Sequence, residues 1–332
     1  METPRIVITG VAGFIGSTLA YKLCSLGYNV IGIDKFLCGY DSNLSWVTPS
    51  HSFALHKMDM ADPQVLSILQ KNDVVFHLAS FTALPSNQVD TVNSYTNNVL
   101  STLAFLESCR KVGIQHFIFP SSCCVYENEE IKEPSKETNN VTPSLIYSLG
   151  KKHCEDLIES YYHNYGVPYT IFRLFNVYGP AADASRAQPG LIPYLITNLR
   201  AGKPIYVCAD GEQKRDYLYI TDLIELLVKM IQKGPVNTIV NACSGKRVSV
   251  NEICDTVQRL LGTHVNPDHK EPSCHWDKFT PLFEGPYPFK KSSVIHDVLK
   301  ETLGSTDKVN ELYGWHAKTS LSDGIAECIQ KT

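Results

Sequence analysis

The chain has 332 residues, 43% of them apolar, and a formal charge of −4 from 30 basic and 34 acidic side chains. That is enough apolar material for one large or two unequal domains, and it lacks the basic excess that marks binding to nucleic acid or an anionic membrane. No apolar run approaches the roughly 18 residues that cross a bilayer, and the N-terminus leads straight into a strand pattern, so a cytoplasmic protein is expected. Eleven cysteines are present, an odd and scattered set without a CxxC pair. They are expected to be reduced core thiols, with no metal site.

Residues 5–9 (RIVIT) are a short β-branched run that meets Gly10, Gly13 and Gly16 in the segment TGVAGFIG, and residues 17–26 follow with helical spacing. Strand, glycine turn and helix in that order suit a dinucleotide. Gly10 permits a tight turn, Gly13 lets the backbone approach a pyrophosphate, and Gly16 allows close helix packing, while the helix N-terminus favours negative charge. A second strand, residues 29–33 (NVIGI), ends in Asp34, 18 residues beyond Gly16. A carboxylate there accepts both ribose hydroxyls and repels a 2′-phosphate, which favours NAD over NADP. The alternative is a capping or loop aspartate, and the neighbouring Lys35 qualifies the choice of cofactor.

Met58 and Asp59 follow a third strand and can meet the adenine edge, whereas Asp62 before Pro63 reads as a helix cap. Residues 74–78 (VVFHL) are a continuous apolar run of the buried parallel type, with His77 read as a core residue. The small Ala79 and Ser80 then leave room for a dinucleotide across the strand ends. Helical spacing from 95 to 112 stops at Gly113. A fifth strand, residues 117–119 (FIF), leads into Pro120, Ser121 and Ser122, where ligands lie in an open α/β sheet.

A polar loop spans 127–142, after which Pro143 and Ser144 open a helix running to about 165 and stopping at Gly166. It carries Tyr147 and Lys151 at i and i+4 on one face, so the cation is expected to hold the phenol below its usual pKa of about 10. With Ser122 they make a proton-transfer set. A sixth strand, 169–172, delivers Arg173, Phe175 and Asn176 to the same edge. Beyond Gly179 the βαβ rhythm breaks, which divides the chain into residues 1–179, with later segments contributing, and a smaller lobe of residues 180–332. Within that lobe Arg215 either binds phosphate bidentately or pairs with Asp216 in the core. Residues 266–291 read as an ordered loop.

TGVAGFIG, Asp34, HLAS, Asn98-Val99, SSCCVY, YSLGK, RLFNVYGP, GEQKRDYLYITD and ELYGW occur in this order over nearly the whole chain. Together they resemble the extended short-chain dehydrogenase/reductases, specifically the nucleotide-sugar epimerase/dehydratase group. The resemblance implies an α/β fold with a Rossmann doubly wound parallel sheet, a smaller C-terminal α/β lobe for a nucleoside diphosphate sugar, bound NAD, and a homodimer. It assigns Gly10, Gly13, Phe14, Ile15, Gly16, Asp34, Asp59, Met60, Leu78, Ala79 and Asn98 to the cofactor, with Ser122, Tyr147 and Lys151 catalytic; Lys35, Ser80, Tyr147 and Lys151 are also expected at the cofactor, and Ser122 and Cys123 at the substrate. Phe175 would line the nicotinamide pocket, Asn176 and Arg215 would hold the pyrophosphate, and Leu191 would lie near the nucleotide.

In such enzymes Tyr147 removes a proton from a sugar hydroxyl while hydride passes to NAD, giving a 4-keto sugar. The family's 4,6-dehydratases carry Asp and Glu where this chain has Cys123 and Cys124, which favours a UDP-sugar 4-epimerase. Alternatives are a dehydratase, a 3,5-epimerase in which Cys124 exchanges protons with a sugar carbon, and a non-catalytic NAD-binding sensor. Cys123 and Cys124 are otherwise fillers. Glu127 replaces the usual glycine after VY, and Val294, Ile295, His296 and Asp297 stand at the family's R-x-G-D element without its arginine.

Overall fold

A computed structural model describes residues 3–47, 52–127, 133–180 and 189–331. Residues 128–132 of the expected polar loop, and 181–188 at the start of the expected smaller lobe, lie outside them. The first six strands are β1 (Ile6–Thr9), β2 (Val30–Asp34), β3 (Phe53–Lys57), β4 (Val74–His77), β5 (His116–Ser122) and β6 (Tyr169–Leu174). A seventh, Ile239–Ala242, joins beside β6, giving the all-parallel order Ile239–Ala242, β6, β5, β4, β1, β2, β3.

Why these strands read as unbroken apolar runs follows from period-two alternation with both faces covered. Ile6, Ile8, Phe76, Ile118 and Phe172 pack on one side with residues of the helices Phe14–Ser25 and Ile220–Lys233. Val7, Val75, Phe117, Phe119 and Ile171 pack on the other, against Phe105, Leu106, Cys154 and Ile158. His77 stays inside β4, its ring between the hydroxyls of Thr9 and Thr102 at 2.9 Å each and against the rings of Phe105 and Phe119. Burial drops its pKa to about 3, so it remains a neutral core residue.

Ile239–Ala242 is a later segment that returns to the main sheet, in parallel register with β6. Two sequence expectations change. β6 extends to Leu174, so Arg173 stays in the sheet rather than reaching the ligand edge; its guanidinium makes two 2.9 Å bonds to Glu155 and one to the Tyr126 hydroxyl. The helix carrying Tyr147 begins at Ile146, not at Pro143–Ser144. The Glu127 carboxylate fixes the approach to that helix, accepting from Ser144 N, Leu145 N and the hydroxyls of Ser144 and Ser148, while the first helical amide, Ile146 N, donates to Gln88 Oε1 at 3.2 Å.

Residues after β6 also build two small sheets. Asn176–Tyr178, Lys214–Tyr219 and Arg247–Ser249 form one, and Tyr206–Cys208 pairs with Asp268–Lys270 in the other. Among the described residues no helix is long and apolar enough to cross a membrane.

Candidate active site

The order of the sheet reverses between β1 and β4, and ligands in open α/β sheets lie outside the carboxyl ends of strands at such a reversal. A cavity of about 240 Å³ opens there. Gly10, Gly13, Phe14, Ile15 and Gly16 form one end; Asp34, Lys35, Asp59 and Met60 line the flank after β2 and β3; Leu78, Ala79 and Ser80 follow β4; Tyr147 and Lys151 complete the other end.

Backbone geometry explains the glycines differently from one another. Gly10 has φ +70°, and a Cβ on it would sit 2.7 Å from Ala79 backbone atoms. At Gly16 a Cβ would be 2.3 Å from the Gly10 carbonyl oxygen. Both are demanded by the chain's own packing. A Cβ at Gly13 would meet only that oxygen, at 3.2 Å, and no side chain caps the helix that Gly13 precedes. The bare backbone and open first-turn amides are what a pyrophosphate requires.

Asp34 is fixed by its own main-chain donors, Phe36 N at 2.7 Å and Ala12 N at 2.9 Å. These leave each carboxylate oxygen a lone pair for a ribose hydroxyl. Lys35 is taken up by Asp59, at 2.9 Å, and by the Asn97 amide oxygen. Asn97 belongs to a π-helical turn, Thr96–Leu100, that interrupts the helical run expected from 95 to 112. The same turn points Asn98 inward, where it accepts from Phe81 N at 2.7 Å and donates to Phe81 O at 2.9 Å, anchoring the segment after β4. The Ser121 hydroxyl lines the cavity and has no partner. Cradle, carboxylate and orphaned hydroxyl together fit a dinucleotide.

At the far end the Lys151 ammonium donates to Pro120 O at 2.9 Å and lies 5.8 Å from the centre of the Tyr147 ring. Ser122 is in hydrogen-bond reach of Tyr147, and its hydroxyl also accepts from Cys124 N at 3.2 Å. The expected lowering of Tyr147 by Lys151 is not seen in the chain by itself. Burial, with Cys124 adding to it, pushes the phenol well above its ordinary value, and burial brings Lys151 down to about 8.

The two cysteines part company. Cys123 is buried with Val125, Tyr126, Phe175 and Cys243, and its thiol is pushed well up, first by its bond to Cys124 and then by burial. Cys124 is half-buried. Its thiol is drawn down to about 6, first by the hydrogen bond with Cys123 and then, against burial, by the Lys300 ammonium and the Ser122 hydroxyl. Lys300 bonds Asp297 at 2.7 Å and lines a second cavity, of about 170 Å³, with Glu127, Ser144 and His296. Nothing in the sequence reading singled out Lys300, and the signal available was only its spacing of three from Asp297. Lys300 lies three residues beyond the Val294–Asp297 segment that stands at the family's arginine element.

The remaining residues assigned by resemblance lie elsewhere. Phe175 is buried against Tyr126, while Leu174 lines the cavity. Leu191 starts the helix Leu191–Arg200. Asn176 donates to Asp216 O at 3.1 Å. Arg215 and Asp216 do not form the pair considered from sequence, because strand alternation sends them to opposite faces. Arg215 donates to the carbonyls of Lys214, Asp297 and Val298, whereas Asp216 accepts from Ser244 N at 2.8 Å and Gly245 N at 3.0 Å.

Residues 6–243 match the model of the NAD dependent epimerase/dehydratase family. The chain belongs to that family. This family member is 26% identical over 328 residues to a UDP-glucose 4-epimerase of Mycolicibacterium smegmatis, covering 98% of this chain and 97% of the relative. It is 31% identical to a dTDP-D-glucose 4,6-dehydratase of Dictyostelium discoideum over 71% of this chain and 57% of that one. In structure it resembles the UDP-glucuronic acid 4-epimerase of Bacillus cereus in complex with UDP-glucuronic acid and NAD, with TM-score 0.84, 26% identity and 98% of each chain covered. The Rossmann architecture and the family's NAD dependence stand on these matches together with the cavity. Among the described residues no group of three or more His, Cys, Asp or Glu is placed to hold a metal ion.

Proposed function

We propose that the chain is a UDP-sugar 4-epimerase working through a transient 4-keto sugar. The observation that carries this is that one cavity joins the glycine turn and Asp34 at one end to Tyr147 and Lys151 at the other, with Ser122 beside the phenol. The residues are those of a redox step on a hydroxyl carbon, and neither a 4,6-dehydratase's Asp nor its Glu follows Ser122. A sensor that merely held the cofactor would need no such proton-transfer set. NAD, when bound, supplies the reversible hydride acceptor and a positive charge beside Tyr147.

Tyr147 takes the proton of the sugar 4-hydroxyl, Ser122 hydrogen-bonds the same oxygen, and Lys151, fixed on Pro120, supplies positive charge. Once the keto sugar has turned over, Tyr147 returns the proton and the opposite configuration results. Asn176, Arg215 and Leu191 are assigned to the nucleoside diphosphate; Arg215 spends three of its five N–H donors on carbonyls. Incubation with UDP-glucose and, separately, UDP-glucuronic acid tests the reading. Appearance of the 4-epimer by NMR supports it, and recovery of both sugars unchanged in the presence of NAD contradicts it.

A second reading has Cys124 exchange a proton with a carbon beside the ketone, and the low thiol pKa favours it. Iodoacetamide is expected to label Cys124 with a rate whose pH inflection lies below that of an ordinary thiol. Lys300→Met should move that inflection upward by removing the ammonium. An unmoved inflection would show that Lys300 does not act on the thiol.

The proposal includes a cytoplasmic homodimer. The helices Ser101–Val112 and Ile146–Tyr165 would meet in it, and Val92, Leu100 and Tyr165, exposed at 77%, 51% and 60%, lie on or beside them. A monomeric mass in light scattering would remove the dimer from it.

A further inference from the structure

Cys208 ends the strand Tyr206–Cys208, Cys274 lies in the short turn Pro272–His275, and their sulfur atoms are 3.3 Å apart. We propose that these thiols are a reversible disulfide site, oxidised by a peroxide, that clamps the segment beginning at residue 268 onto the lobe containing Arg215.

A disulfide needs the sulfurs at about 2.05 Å, so they must approach by roughly 1.3 Å. The surroundings allow it. All three residues of Asp268–Lys270 are exposed, and no residue of the turn 272–275 is buried. The other thiols in mutual hydrogen-bond contact, Cys123 and Cys124, are adjacent in the chain and could join only with backbone strain.

Exposure divides the roles. Cys274 is half-buried and meets the oxidant, whereas Cys208 is 5% exposed. Burial and then the bond to Cys274 push the Cys208 thiol up, so Cys208 does not compete for the peroxide, and its sulfur, 3.3 Å from that of Cys274, is placed to meet the sulfenic acid. The Cys274 sulfur attacks one peroxide oxygen, the O–O bond breaks, and water leaves a sulfenic acid. The Cys208 sulfur then displaces that hydroxyl, its proton leaving in a second water as the S–S bond forms. Two thiols are oxidised by two electrons and one peroxide is reduced to two waters.

The clamp has a route to the site. From Cys274 the chain passes through Trp276, which is 2% exposed and stacked on Phe289 with centroids 5.5 Å apart. It then enters the helix Lys291–Leu299, whose Asp297 and Val298 carbonyls hold the Arg215 guanidinium. Oxidation should therefore change affinity for the nucleotide sugar more than kcat; this part rests on the proposed role of Arg215.

The test uses the full chain treated with hydrogen peroxide, alkylated and digested without reduction. A cross-linked Cys208–Cys274 peptide, lost with dithiothreitol and absent from Cys274→Ser, is expected; in Cys208→Ser a sulfenic acid trapped by dimedone should remain at Cys274. Alkylation of both cysteines after oxidation, or over-oxidation of Cys274 with Cys208 still free, would overturn the site. A several-fold change of KM on oxidation in the wild type and none in Cys274→Ser is expected, and an unchanged KM with the cross-link formed would overturn the clamp's effect. Absence of turnover in both redox states would count against the epimerase reading, while the peptide still decides the site.

Discussion

Replacing Tyr147 by Phe lowers kcat by about 10²–10⁴-fold and leaves NAD bound. The change removes one hydroxyl from a side chain that is already buried and keeps the ring against which Lys151 is placed. On the proposed reading the pyrophosphate and ribose are held at the other end of the cavity, by the Gly10–Gly16 turn and Asp34, so cofactor affinity should move little. The size of the effect follows from the phenol's position. Ser122 hydrogen-bonds the phenol, but its hydroxyl also accepts from Cys124 N, and the Lys151 ammonium donates to Pro120 O. Neither is placed to take over the proton. Ser122→Ala should therefore cost less than Tyr147→Phe. Titration with NAD and steady-state kinetics of the two variants check both halves of the expectation.

The largest effect on stability is expected from Glu155→Ala, which should destabilise the fold by about 3–5 kcal/mol by leaving a buried guanidinium without its counter-charge. Arg173 and Glu155 are 3% and 0% exposed and joined by two parallel bonds of 2.9 Å. The pair ties the helix of Tyr147 and Lys151 to β6. Through Arg173 Nη1 it also holds the Tyr126 hydroxyl, which in turn donates to Asn241 at 3.0 Å on the seventh strand. Loss of the carboxylate thus loosens the turn after Ser122 as well as the helix. The double change Glu155→Leu with Arg173→Met should recover a large part of the loss, because it removes both charges together. Urea denaturation of the single and double variants measures this.

These two sites differ in how far the sequence announces them. Tyr147 and Lys151 are legible because their meaning is local: four residues of helix set them on one face, and the glycine turn upstream depends on spacing within a dozen residues. Arg173 was expected at the ligand edge because a strand's end cannot be located from composition alone. Its partner Glu155 is 18 residues away and becomes a neighbour only when helix and strand pack. The return of Ile239–Ala242 to the sheet is hidden for the same reason, since its pairing with β6 is long-range.

The π-helical turn at Thr96–Leu100 escaped because the apolar spacing around it still fits an ordinary helix. Its result is that Asn97 and Asn98, adjacent in sequence, serve different ends: one bonds Lys35 at the cavity and the other anchors Phe81. Glu127 shows a departure from family pattern with a structural use, since its carboxylate holds Ser144 and Leu145, just before the helix of Tyr147 and Lys151, and the Ser148 hydroxyl in its first turn. Cys124 was weighed as a filler. What gives its thiol another character is first the hydrogen bond with Cys123 and then, against burial, Lys300, nearly 180 residues further along, which no local pattern connects to it.

The central claim is inversion at carbon 4 through a ketone at that carbon, and the direct test is proton NMR of UDP-glucose incubated with the protein and NAD in deuterated water. The proposal predicts conversion to the 4-epimer with hydrogen retained at carbons 3, 4 and 5, because hydride returns within the site and no neighbouring carbon is deprotonated. Deuterium at carbon 3 or 5 of the product, or loss of the 4-epimer in favour of a dehydrated keto sugar, would contradict it.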